Sequence, residues 1–264
     1  MSTVAKNVRW LLAQWSINLS SAMAYRISFL TQMVFMLVND VLLLFFWWVL
    51  LQLVPDIGGW GMADVWLMYG LAAGGFSVVA LLAGNYNRLA SIISEGQLDY
   101  YLALPKNVLL HVLVSRTDFA AVGDLLFGLV LGALGCRALG ANYLLFLLFM
   151  ATAGSMMCAF SIITNSLAFF FGRSEAISRQ LAEAIMSFSM YPGTIYQGAA
   201  RFIVLFLVPA GFVTHIPVET LRHFNSIGVW QVLAANVVTW VIALAIFRAG
   251  LKRYESGNQI TLRG

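Results

Sequence analysis

Charge is what this sequence has least of: 15 basic and 11 acidic side chains in 264 residues, or 10% of the chain. Soluble globular proteins carry roughly 25%. So few ionised groups cannot coat a water-facing surface, which excludes an ordinary cytosolic enzyme and a disordered regulator. Cysteine is nearly absent too. Cys136 and Cys158 both lie in apolar runs, which reads as packing and excludes a secreted disulfide scaffold. No G-x-x-x-x-G-K-[ST] phosphate loop occurs. His111, His215 and His223 have neither metal-ligand spacing nor a cysteine cluster beside them. Nucleophile elbows, His-Glu-x-x-His and paired catalytic carboxylates are missing as well. The chain is therefore read as a non-enzyme carrying no cofactor or metal. A secretory leader is not expected, because Gln14, Ser16 and Asn18 interrupt the apolar run after Lys6 and Arg9.

Apolar residues fill the space that charge leaves: 61% of the chain is hydrophobic, with a mean hydropathy of +0.86. A helix needs about 20 apolar residues to cross a bilayer. The composition predicts an all-α integral membrane protein, one domain over residues 1–264, with six spans. These fall at about 27–54, 65–83, 119–135, 143–171, 176–196 and 227–247. The first ends at the turn Pro55-Asp56-Ile57-Gly58-Gly59, and Pro192-Gly193 kinks or ends the fifth. Ahead of them, residues 1–26 form an amphipathic helix. Val4, Val8, Leu11, Trp15, Leu19 and Ala22 recur at helical spacing, with Lys6, Asn7, Gln14 and Ser20 elsewhere around the axis. Its two tryptophans suit a membrane interface.

Residues 202–218 are uncharged but short, with Pro209 and Pro217. Basic residues decide their reading. With six spans and both termini cytoplasmic, twelve of the fifteen face inward, and only Arg137, Arg201 and Arg222 face out. A seventh crossing would move Arg248, Lys252, Arg253 and Arg263 outside. Residues 198–218 are therefore expected to form an external re-entrant hairpin. The net charge of +4 follows from cytoplasmic loops and calls for no nucleic acid.

Several polar groups fall near apolar segments. Asp40 lies mid-span, where a carboxylate costs about 2.5–3.5 kcal/mol. It is expected to line a pathway or sense protons, or to hydrogen-bond another helix. Asp118 and Asp124 flank the third span near Arg116 as an interfacial charge cluster, and Arg179 with Glu183 can pair along one helix face. Gly70-x-x-x-Gly74 and Gly128-x-x-x-Gly132 permit close helix packing.

The longest polar stretch, residues 85–116, contains Glu95-Gly96-Gln97-Leu98-Asp99-Tyr100-Tyr101-Leu102, apolar enough to need a partner surface. With Leu104-Pro105, Ser115-Arg116 and Gly123-Asp124 following, the run resembles permease subunits of the ABC-2 transporter superfamily. The resemblance covers the whole chain, since the interfacial helix, six spans and external hairpin match that ABC-2, type V exporter-like layout. It implies that Glu95, Gly96, Gln97, Leu98, Asp99, Tyr100, Tyr101 and Leu102 form a cytoplasmic coupling helix seated on a separate ATPase. It further implies two copies of that ATPase, which binds ATP and Mg, and a second permease, identical or paralogous. Membrane lipids would surround the assembly in a bacterial inner membrane. Two other classes fit the residues less well. An ion-coupled secondary transporter would use Asp40 but usually has internal repeats, and a membrane-embedded lipid-modifying enzyme would need a polar catalytic cluster.

Overall fold

The computed structural model describes residues 3–54 and 57–254, with first-helix side chains described from Arg9 onward. The turn residues Pro55 and Asp56, the tail with Arg263, and the side chains of Val4, Lys6, Asn7 and Val8 lie outside that set. The described residues are nearly all helical, in chain order α1 (Thr3–Ala24), α2 (Arg26–Leu53), α3 (Met62–Leu82), α4 (Leu89–Ser94), α5 (Leu98–Leu102), α6 (Val108–Val114) and α7 (Val122–Leu139). Then come α8 (Tyr143–Asn165), α9 (Ala168–Phe171), α10 (Glu175–Ser189), α11 (Gly198–Phe202), α12 (His215–Arg222) and α13 (Ser226–Leu251).

Five helical stretches among these residues are long and apolar enough to cross a membrane: Arg26–Leu53, Met62–Leu82, Phe119–Leu139, Tyr143–Phe171 and Ser226–Leu251. The fifth expected span, 176–196, differs. Its helix α10 has 15 residues, about 22 Å at 1.5 Å per residue, short of the roughly 30 Å hydrocarbon layer. It nevertheless joins the same two ends of the bundle as its neighbours. Ser178 near its start donates to the Thr164 carbonyl at the end of α8 (2.8 Å). Just past its other end Tyr191 packs on Trp47 of α2, and Thr194 reaches the Ile57 carbonyl.

Helix α3 is the buried axis. Small residues let its neighbours close on it, and the two glycine pairs expected to aid packing meet each other. A Cβ at Gly128 would lie 2.8 Å from the Gly74 nitrogen, and one at Gly70 would lie 3.0 Å from the Gly128 carbonyl. On another face Gly75 lies against Ala153 and Gly154 of α8. Helix α8 carries no charge, and polar side chains link it to α13. Asn236 donates to the Thr152 carbonyl (2.7 Å) and accepts from Ser155 (2.8 Å), which in turn accepts from the Trp240 indole (2.8 Å). Helix α2 is peripheral. Of its 28 residues only Asp40, Trp47 and Leu51 are buried, and the Trp47 indole donates to the Tyr69 hydroxyl at 2.9 Å.

Residues 198–222 form two helical legs, Gly198–Leu207 and Ala210–Arg222, bent by 73°. The bend falls at Val208-Pro209, where proline has no N–H to continue the ladder. Val204, Val208 and Ala210 near the bend are buried. The α12 leg is fastened to the start of α3: Glu219 accepts from the Trp60 indole (2.9 Å), and Arg222 faces Asp64 at 3.8 Å. The anticipated Arg179–Glu183 pair does not form within 4 Å. Both side chains are exposed, and an exposed pair gains too little to immobilise two long side chains.

Candidate functional site: the end formed by residues 85–116

The 85–116 segment holds three short helices, α4, α5 and α6; of the run Glu95–Leu102, residues Leu98–Leu102 are α5 and the first three form the turn before it. Gly96 makes the turn between α4 and α5 at φ +73°, a left-handed conformation that side chains resist. Asn107 caps α6 by accepting from the Leu110 amide (3.0 Å).

Buried asparagines anchor these helices to the bundle. Asn85 donates to the Val112 carbonyl (3.0 Å) and to Ser115 Oγ (2.7 Å), and Asn165 of α8 accepts from the Ala90 amide (2.9 Å). Ser161 donates to the Tyr86 carbonyl (2.9 Å), and Ser94 donates to Glu175. Together they satisfy polar groups that the break between spans would otherwise strand.

The eight residues from Glu95 to Leu102 divide sharply. Leu98 is fully buried, beside Leu89, Ile93 and Leu109 in the core. Glu95 and Gln97 are exposed and bonded to each other (2.7 Å). Tyr100 is 65% exposed and Leu102 42%. The Tyr101 hydroxyl bonds Ser115 Oγ (3.0 Å). Asp99 faces Tyr254 beyond α13, and burial together with that carboxylate pushes the Tyr254 phenol up to about 12.

Helix α1 straps this end. Its Trp15 indole donates to the Leu81 carbonyl (2.7 Å), and Asn18 donates to Val114 O (3.3 Å) and Thr117 Oγ1 (3.0 Å). Trp10 meets the His111 ring edge-on at 5.0 Å, Tyr101 meets the same ring at 5.2 Å, and Lys106 lies over Trp10 at 5.1 Å. Burial, then the Lys106 charge, lowers the His111 pKa. Sequence reasoning missed His111, Trp10, Lys106 and the anchoring asparagines. The available signal was polar Asn85 and Asn165 at the ends of apolar runs.

The structure does not gather Asp124 with Arg116. Asp118 accepts from the Ala120 amide and caps the turn into α7 (3.1 Å). Asp124 is buried, facing Asp40 of α2 and Asp118 ahead of α7. Among the described residues no group of three or more His, Cys, Asp or Glu could hold a metal ion. Chemically this end offers a partly apolar surface, with Tyr100 and Leu102 exposed on it.

Comparison with curated proteins and with solved structures found no match. A family model described as ABC-2 family transporter protein matches residues 15–258. That match covers nearly the whole chain, and the long apolar helices agree with it: the chain belongs to the ABC-2 transporter family and is an integral membrane protein.

Proposed function

We propose that the chain is the permease subunit of an ATP-driven exporter, forms half of a translocation pathway and docks a separate ATPase through α5. The observation that carries this reading is the outward pair Tyr100 and Leu102. They stand on a helix whose inner face is locked by Leu98 and whose register is set by the Gly96 turn. A large aromatic and a leucine projecting from a rigid support suit a groove on a partner, and exposed Glu95 and Gln97 beside them supply a polar rim. The side carrying residues 85–116 is then cytoplasmic, as are both termini, in a bacterial inner membrane. The bent legs of residues 198–222 lie at the external side as a re-entrant hairpin.

The pathway half rests on α10. Its uncovered residues Arg179, Gln180, Glu183 and Ser187 fall at helical spacing and make a polar stripe. Arg179 is one turn from the helix start, but Glu183 is mid-helix, where a charge facing lipid costs a few kcal/mol, so the stripe belongs against water or a second permease. ATP closure of two ATPase copies would push both α5 helices and change the separation of two bundles. The permease performs no bond chemistry itself.

The test is co-purification of the tagged chain with its ATPase from native membranes. Y100D/L102D should abolish association while the variant still inserts and melts like wild type. Undiminished co-purification of that variant overturns the docking assignment. Leu98 is not a suitable site for this test, because a charge there would unfold the support.

A further inference from the structure

Asp40 lies mid-way along α2 and Asp124 in the first turn of α7. They are 6% and 5% exposed, in the seam where the two helices meet. The backbones approach closely: a Cβ at Gly123 would sit 3.0 Å from Met33 Cγ and 3.1 Å from Leu37 Cγ. The two carboxyls lie within reach of each other across the seam, and Asp40 Oδ2 and Asp124 Oδ1 are buried with no hydrogen-bond partner. An ionised carboxylate only accepts hydrogen bonds, so two carboxyls meeting there can bond only by sharing a proton.

No neighbouring charge offers another solution. The titratable groups facing the pair are Tyr69 of α3 and Asp118 ahead of α7, with Tyr191 beyond Tyr69. Each is neutral or acidic. Among the described residues, no lysine, arginine or histidine forms an ion pair with either aspartate.

We propose that Asp40 and Asp124 form a binding site for a single proton, which clasps α2 to α7. Elsewhere α2 holds to the bundle through the Trp47–Tyr69 hydrogen bond, buried Leu51 and the partly buried Phe29, Leu43 and Leu44. Removing the proton leaves two carboxylates in contact inside a seam with no counter-charge, and they repel. The seam then opens, and α2, whose outer face is already exposed, swings away from α7. The proton comes from water and returns to it, so no co-reactant is required. This inference is independent of ATPase docking, which lies at another part of the chain.

Infrared spectroscopy of the full chain in lipid nanodiscs, with carboxyl-labelled aspartate, tests it directly. At neutral pH the wild type should show a protonated-carboxyl stretch that shifts with the label. D40N and D124N should each lose that band, since the asparagine amide now supplies the donor and the remaining carboxylate ionises. D64N, at the far end of α3, should keep it. A labelled wild-type spectrum without the band overturns the proposal and requires no variant. A band that persists in both D40N and D124N overturns it equally. For the clasp, spin labels replacing exposed Leu30 and Leu126 should separate on alkalinisation in the wild type and stay put in D40N. An unchanged wild-type distance refutes the opening of the seam.

Discussion

Substituting alanine for Gly128 should be among the most damaging single-methyl additions in this protein. The new Cβ would lie 2.8 Å from the Gly74 nitrogen, 2.9 Å from the Gly70 carbonyl and 2.9 Å from the Gly74 Cα. All three neighbours are backbone atoms of α3, so no side chain can swing aside. Ordinary van der Waals contact between carbons needs about 3.5–4.0 Å, so α3 and α7 must part by roughly 1 Å. Overpacking of this kind costs about 1–3 kcal/mol. At about 2–4 °C per kcal/mol for a chain of this size, G128A should melt roughly 2–12 °C below wild type in detergent, followed by intrinsic fluorescence. G74A is the informative comparison. Its nearest neighbours are the Met150 thioether and Cγ, a flexible side chain that can move, so it should lose less than G128A. G61A meets nothing within 4 Å; it replaces the glycine N-cap of α3 and should cost no more than about 1 kcal/mol. A G128A melting temperature within about 1 °C of wild type, or one above that of G74A, refutes the close α3–α7 seam.

Three further outcomes follow from single contacts. L98A removes a fully buried side chain and should cost about 2–5 kcal/mol in thermal unfolding, whereas Y100A should leave the melting temperature unchanged; equal effects would mean that Leu98 is not core. W60F deletes the donor to Glu219 and should cost about 1.5–3 kcal/mol, while R222A, whose ion pair with Asp64 is long and partly exposed, should cost less than about 1 kcal/mol; limited proteolysis within residues 198–222 reads both, and the reverse order refutes the fastening. Because the folded pKa of His111 is lowered from 6.5, the unfolded chain takes up the proton first, so stability present above that value falls as pH drops below it. H111F should flatten this acid-side loss in a melting series, and an unaltered slope shows that another group causes it.

Periodicity made the apolar helices legible because a long uncharged run in a low-charge chain has few other uses. Proline at 209 likewise marked the bend between the two legs of residues 198–222. The residues of α10 were harder to read. Its length was overestimated because Met186, Phe188 and Met190 extend the apolar pattern past Ser189, where the helix ends. Pairings across the fold were not legible at all. Sequence spacing grouped Asp124 with Arg116 and Asp118, eight and six residues away; Asp118 does face it, but so does Asp40 on another helix. Within the 95–102 run the mixture of apolar and acidic positions announced a surface. Which leucine faced inward depended on the Gly96 turn, whose φ of +73° the glycine permits but does not dictate.

Rigidity at the 85–116 end bears on whether a push on α5 could reach the bundle. A loosely tethered loop would absorb the displacement locally, since segments with few buried contacts open at little cost. Here α5 has its leucine in the core, a tyrosine tied to Ser115, and Asp99 beside Tyr254 at the end of α13. Asn165 fixes α4 to the end of α8, and Asn85 fixes the start of the segment to its end. Helix α1 closes the remaining side through Trp10, Trp15 and Asn18. Displacing the segment without moving α8 would therefore break the Asn165–Ala90 and Ser161–Tyr86 bonds, at about 1 kcal/mol or more each. Moving the helices together breaks none of them. Helix α3 would travel with α8 through the Gly75–Gly154 approach and with α7 through the Gly74–Gly128 approach. Helix α2 has the smallest buried share of the long apolar helices, and it meets α7 through Met33 and Leu37 at Gly123. If α5 docks the ATPase as proposed, a load entering at Tyr100 would pass through α8 and α3 to α7 before it reached α2.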